Sequence, residues 1–240
     1  MMTAAKPVNL VGRRNESTRV EWLRHTLAQI PAGWRILDAG AGEQQFRPLC
    51  AHLRYVSQDF AAYDGAGDGQ GLHSATWKQD HLDIVSNITA IPQADGSFDA
   101  AMCIEVLEHV PDPLAALREL GRLVRTGGCL ILTAPFCSLT HMSPYHFCTG
   151  FSRNFYQTHL PALGFEIIEL EQNGNFFEYL AQENRRLRGI AKKYAGDSLS
   201  SDEWAAVETV LTALDRFSSR DSGSAELLHF GCHLLARKIH

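Results

Sequence analysis

This 240-residue chain has no apolar run near the roughly 18 residues that cross a bilayer, and its first residues lack the apolar core of a secretion signal. A cytoplasmic, soluble protein with no membrane partner is therefore expected. It also lacks a basic excess: 22 Lys and Arg against 27 Asp and Glu leave a net charge of −5, so a phosphate backbone is a poor match and no nucleic-acid partner is expected. The short basic runs Arg13-Arg14, Arg185-Arg186-Leu187-Arg188 and Lys192-Lys193 read as solvated faces. Six cysteines are scattered without a C-x-x-C pair, which excludes a disulfide framework and fits a reducing compartment. Cys137, His141, His146 and Cys148 share one segment, but their spacing fits no standard zinc finger, so no metal is expected. There is no internal repeat and no low-complexity tract. What remains, 45% hydrophobic and 20% charged residues, is ordinary globular composition, long enough for one large domain with a continuous core.

The organising stretch is Arg35-Ile-Leu-Asp-Ala-Gly-Ala-Gly42. Trp34, Ile36 and Leu37 make a short apolar run that reads as a buried parallel strand, and Gly40 and Gly42 open a turn where backbone can approach a ligand. No Gly-Lys-Ser/Thr follows, so the turn is not a Walker phosphate loop, and Gln45 stands where G-x-G-x-x-G needs its last glycine. Phe46, Leu49, Cys50 and Leu53 recur at helical spacing, which predicts a helix with its N-terminus toward the ligand.

Around this unit, residues 1–14 read as a polar arm, and Val20, Leu23, Leu27 and Ile30 as a helix stopped at Pro31-Ala-Gly33. Further strands are predicted at Leu53–Ser57, Leu82–Ile88, Phe98–Ile104, Cys129–Ala134, Phe165–Leu170 and Leu228–Arg237. Helices are predicted from Asp112 or Pro113 to Gly127-Gly128 and over Ser152–Leu163. A glycine-rich loop fills 61–79, and 176–220 reads as a helical insertion before the last strand. Strand and helix alternate over the first 170 residues, so the sheet should be doubly wound and mostly parallel, with the last strand antiparallel.

Acids fall where such a sheet offers them to one ligand. Asp59 lies 21 positions after Asp38, at the end of the next strand, where a carboxylate can accept both hydroxyls of a ribose. Phe60 beside it can stack on a base or simply pack. Then come Asn87-Ile88, Glu105-Val-Leu-Glu-His109 and Gly127-Gly128.

In order and spacing over residues 35–135, these pieces resemble a class I S-adenosylmethionine-dependent methyltransferase of the small-molecule kind, and Thr133-Ala-Pro-Phe136, His141 and Pro144-Tyr-His-Phe147 look like uncharacterised bacterial members of that group. The resemblance implies a seven-stranded Rossmann-like α/β fold and S-adenosyl-L-methionine as cofactor. It places Asp38, Gly40 and Gly42 at the methionine end, Asp59 at the ribose, Phe60, Asn87 and Ile88 at the adenine, and Glu105 beside the sulfonium. The sequence departs from the family pattern twice. Gln44 replaces its third glycine, and Asn87 replaces an Asp expected to meet the adenine amine, a bond Asn can still accept through its carbonyl oxygen.

The acceptor side is read from Pro135 to Ser152, a loop leaving the carboxyl end of a central strand. A hydroxyl acceptor gains from a base of near-neutral pKa, so His146 and His141 are the catalytic candidates, with Tyr145 as an orienter and His109 as a neighbour. The expected reaction is methyl transfer to a small-molecule hydroxyl. Nitrogen or carbon methylation, and a cofactor-binding scaffold without turnover, are the alternatives; a nicotinamide dehydrogenase fits the glycine pattern poorly. The 176–220 helices offer an acceptor pocket or a homodimer face.

Overall fold

The computed structural model describes residues 9–73, 76–79 and 81–240; parts of the expected arm (1–8) and of the glycine-rich loop (74–75) lie outside them. Seven strands form one sheet: β1 Arg35–Ala39, β2 Arg54–Asp59, β3 Ile84–Val85, β4 Phe98–Ile104, β5 Val124–Pro135, β6 Phe165–Asn173 and β7 Gly231–Lys238. Their order is β3-β2-β1-β4-β5-β7-β6. Strands β1 to β5 pair in parallel and β7 runs antiparallel to β5, with Leu132 opposite Leu234. This is the doubly wound sheet expected from the alternation of strand and helix. The strand order reverses at β1, where such sheets bind ligands beyond the carboxyl ends of their strands.

Side-chain alternation explains why Ile36-Leu37 in β1 and Ala100–Ile104 in β4 read as apolar runs. Ile36, Ala100, Met102 and Ile104 face Leu23 and Leu27 of α1 (Asn15–Ala28) on one side of the sheet. Leu37, Ala39, Ala101 and Cys103 face Leu117 and Leu120 of α2 (Pro113–Leu123) on the other. Both faces are covered, so every position of these strands is buried except Arg35 and Asp99 near their starts. Asp112 caps α2, its carboxylate accepting the N–H of Ala115. Helix α3 (Arg153–Ala162) puts Tyr156 and Leu160 into the same core.

Two local expectations are corrected. The helix predicted from Phe46 to Leu53 is a 3-10 turn of four residues, Arg47–Cys50. β2 begins at Arg54, leaving no room for further turns. The third strand is two residues long rather than seven. The Asp83 carboxylate takes the N–H and hydroxyl of Ser57, and Val85 is 64% exposed at the sheet edge.

The chain divides into two compact units. The sheet and its covering helices make up residues 19–171 and 231–240. The other unit holds the described residues up to 18 together with 172–230. In it, α4 (Phe176–Ile190) and α5 (Ser201–Ser218) bury Ala181, Leu211 and Leu214 around Val11. Residues 9–14 are thus no free arm: Arg185 donates to the carbonyls of Val11 and Asn9, and Gly12 N–H to Glu178. A capping box of Ser200 and Glu203 starts α5. Among the described residues no helix is long and apolar enough to cross a membrane.

Candidate active site

Beyond the carboxyl ends of β1, β2 and β4 lies a cavity of about 550 Å³, within the roughly 300–1,000 Å³ usual for small-molecule sites. The glycine turn forms one wall. Gly40 (φ 80°) and Gly42 (φ 51°) hold left-handed conformations. A Cβ at Gly40 would meet Val106 Cγ2 at 2.5 Å, and one at Gly42 would meet the Trp77 ring at 2.6 Å. Only glycine allows so close an approach. Gln44 is also left-handed, at φ 58°, which costs an L-residue about 1–2 kcal/mol.

Three carboxylates face this cavity from three strand ends. Asp38 is buried and accepts the Tyr55 hydroxyl at 2.5 Å; burial pushes its pKa up to about 7. Asp59 accepts the N–H groups of Gly42 and Ala61 and the amide of Gln79, each at 2.9 Å. Glu105, at φ 55°, accepts the Thr133 hydroxyl at 2.8 Å and pairs with Arg19 at 3.1 Å. Gln58 also lines the cavity, and its buried Oε1 has no hydrogen-bond partner among the described residues.

An aromatic collar surrounds the opening. Tyr145 meets Phe60 edge-on at 4.9 Å between centroids, and Tyr63 meets Trp77 at 5.6 Å. The glycine-rich loop docks on the acceptor loop through Leu72 N–H to Thr140 O, Met142 N–H to Leu72 O, and the Ser143 hydroxyl to Asp68. Asn87 and Ile88 line the cavity, but the Asn87 carbonyl oxygen already accepts both the N–H and the hydroxyl of Thr89. In this structure the oxygen expected to meet an adenine amine is thus engaged in an Asx turn.

The far end of the cavity gathers His109, His141 and Glu108. The two rings stand 4.6 Å apart. His109 Nδ1 donates to the Tyr145 carbonyl at 2.6 Å and His141 Nδ1 to the Leu139 carbonyl at 2.9 Å. Burial, and then His141, hold His109 down at about 4. Glu108 is 1% exposed, and burial, followed by the charge of Glu105, pushes its carboxyl well above the usual range. Its peptide carbonyl accepts the N–H groups of Phe147 and Cys148, tying the acceptor loop to this residue.

Of the residues singled out by sequence, Asp38, Gly40, Gly42, Asp59, Phe60, Asn87, Ile88, Glu105, His109, His141 and Tyr145 line the cavity. His146 is outside the lining. Its Nε2 sits 3.1 Å from Ser138 Oγ, which itself donates to Thr149 O, so His146 is the donor of that pair. Sequence reasoning gave no role to Arg19 or Glu108. Glu108 carried a legible signal, standing beside His109 in the segment that also holds Glu105, whereas nothing local marks Arg19.

A reversed-order seven-stranded sheet with a glycine turn and acids at its strand ends defines a Rossmann-like methyltransferase fold. The chain belongs to the methyltransferase domain family, which matches residues 13–193. A ubiquinone biosynthesis O-methyltransferase of Xanthomonas oryzae pv. oryzae (strain PXO99A) is 36% identical over 108 residues, covering 42% of this chain and 43% of that protein. The match thus spans less than half the length of this curated relative. Two solved structures share the fold. The [4+2]-cyclase SpnF is 20% identical with a TM-score of 0.55, over 95% of this chain and 84% of its own. Haemonchus contortus phosphoethanolamine N-methyltransferase 2, solved with S-adenosyl-L-methionine, is 15% identical with a TM-score of 0.53, over 93% and 53%.

Proposed function

We propose that this chain transfers the methyl group of S-adenosylmethionine to a hydroxyl of a small-molecule acceptor. The observation that carries the reading is the polarity of the cavity, with three carboxylates at its glycine-turn end and, at the other, two imidazoles each tied to a backbone carbonyl through Nδ1. A cofactor bearing an ammonium and a sulfonium suits Asp38, Asp59 and Glu105, and the space a Cβ would fill at Gly40 and Gly42 suits close backbone approach.

In this reading Asp38, Gly40 and Gly42 hold the methionine end, and Asp59, kept in place by Gly42 and Ala61 N–H, takes the ribose. Phe60, Asn87 and Ile88 flank the adenine, and Glu105 faces the sulfonium. When bound, the cofactor supplies an electrophilic methyl carbon. The acceptor oxygen bonds to it as the carbon–sulfur bond breaks, the electron pair staying on sulfur and the hydroxyl proton leaving. The chain's part is to align the two reactants and to ease loss of that proton. His141 is best placed for the second task, since its Nε2 lone pair is free and it lines the cavity; Tyr145 fixes His109 through its backbone carbonyl. The O-methyltransferase relative supports oxygen over nitrogen or carbon as the acceptor atom.

Calorimetric titration with S-adenosylmethionine, S-adenosylhomocysteine and NAD tests the cofactor. Saturable binding of the first two, lost in Asp59→Ala, is expected. Folded protein that binds neither would favour the scaffold alternative.

A further inference from the structure

We propose that Glu108, His109 and His141 form a binding site for a divalent first-row transition-metal ion at the acceptor end of the cavity. The inference deepens the hydroxyl-transfer reading and rests on that reading for its consequence, though not for the site itself.

The argument begins with hydrogen positions. A backbone carbonyl only accepts, so the bonds from His109 Nδ1 to Tyr145 O and from His141 Nδ1 to Leu139 O place the ring hydrogens on both Nδ1 atoms. In the neutral rings both Nε2 atoms then present lone pairs. Those lone pairs converge on a carboxylate oxygen: Glu108 Oε1 is 3.7 Å from His109 Nε2 and 4.0 Å from His141 Nε2. All three donor atoms lie within 4.8 Å of one another. Bonds of about 2.0–2.2 Å set neighbouring ligand atoms about 3–3.5 Å apart, so a cation at the centre requires a contraction of under about 2 Å at the widest pair.

A second observation is independent of the first. Glu108 Oε2 is buried and has no hydrogen-bond partner among the described residues. A buried carboxyl oxygen without a partner is costly, and a cation binding in place of the carboxyl proton would relieve it. The histidines are also held as metal ligands are held, each by a carbonyl on its other nitrogen, which fixes tautomer and ring orientation. Glu105 is not part of the set, because Thr133 and Arg19 occupy its two oxygens. The poor spacing of Cys137, His141, His146 and Cys148 for zinc does not count against this site, since two of its three ligands come from the segment after β4.

Two imidazoles and one carboxylate suit zinc, cobalt, iron or manganese better than magnesium, which prefers oxygen alone. All three residues line the cavity, so the remaining coordination positions open toward the acceptor. A hydroxyl bound there would be acidified by the ion, relieving His141 of the work of a base.

The test uses untagged full-length protein stripped with a chelator, titrated with Zn²⁺ in a calorimeter and with Co²⁺ by visible absorbance. One saturable equivalent is expected. His141→Ala, His109→Ala and Glu108→Gln should each weaken it about 30-fold or more, while His25→Ala, exposed on α1, leaves it unchanged. His141 lies in a loop, so its variant decides the matter if a substitution after β4 impairs folding by circular dichroism. No saturable binding by folded wild type, or unchanged affinity in His141→Ala, overturns the proposal. S-adenosylmethionine titrated into the same samples separates the two readings. Cofactor binding without metal binding sinks the metal site alone, and metal binding without cofactor binding sinks the methyl-transfer reading alone.

Discussion

Arg19 Nη1 stands 3.1 Å from Glu105 Oε2, so a cation from the first helix partly neutralises the acid at the end of the fourth strand. The pair is only 17% and 29% exposed, and Glu105 is held in a left-handed conformation beside it. Arg19→Met should destabilise the fold by about 1–3 kcal/mol in urea unfolding, because it leaves a largely desolvated carboxylate with one partner fewer. If Glu105 faces a sulfonium, the same variant should raise the preference for S-adenosylmethionine over S-adenosylhomocysteine, whose sulfur is uncharged, several-fold. An unchanged ratio would place Glu105 away from the sulfur.

Asp38 makes cofactor binding depend on pH. Its carboxyl is raised from 3.8 to about 7 by burial, against the lowering effect of the Tyr55 hydroxyl. Between about pH 4 and 7 the folded chain keeps a proton there that the unfolded chain releases. This group's contribution therefore makes the free protein less stable as pH rises through that window. A ligand ammonium beside Asp38 favours the ionised form, so affinity should rise about tenfold per pH unit up to about pH 7 and then level off. Tyr55→Phe should move that midpoint upward. Calorimetry from pH 5 to 8 checks both, and a flat profile would remove Asp38 from the ammonium site.

Gly40 and Val106 form a steric pair across the glycine turn. Gly40→Ala adds a left-handed penalty of about 1–2 kcal/mol and an overlap with Val106 Cγ2 at 2.5 Å. Adding Val106→Ala should recover the overlap part and leave the conformational part. Chemical unfolding of the four members of this cycle should therefore be non-additive, with the double variant more stable than the sum of the singles. Simple additivity would show that the turn relaxes away from Val106.

The two loop histidines should separate in kinetics. His141 lines the cavity with a free Nε2, whereas His146 is outside the lining and donates to Ser138. His141→Ala should lower kcat about 10²–10⁴-fold whether it acts as base or as ligand, and His146→Ala less than about tenfold. Equal losses in both would mean that the loop rearranges when the acceptor binds.

Much of this fold is legible in the chain because its signals are local. Phe98–Ile104 is bounded in the structure as its apolar character, interrupted only by Asp99, predicts, since both faces of that strand are covered. Asp112-Pro113 opens α2 by a cap and a fixed φ that need only neighbouring residues. The acids at 38, 59 and 105 converge because strand ends in a parallel sheet share one edge, a consequence of topology that spacing alone conveys.

Other features were decided only by tertiary structure, because they depend on partners distant in the chain. Helical spacing from Phe46 to Leu53 gave way to a 3-10 turn, as the start of β2 limits the length available. Asn87 kept its position but lost its free oxygen to Thr89, a choice of side-chain conformation that residue type does not encode. Two histidines five positions apart, 141 and 146, are equivalent as letters; the loop turns one into the cavity and the other onto Ser138. Arg19 reaches Glu105, and Glu108 reaches His141, only once helix, strand and loop are packed together. Sequence period determined which segments are strands and helices, while the packing of one segment on another determined which polar atoms meet, and so where the chemistry can occur.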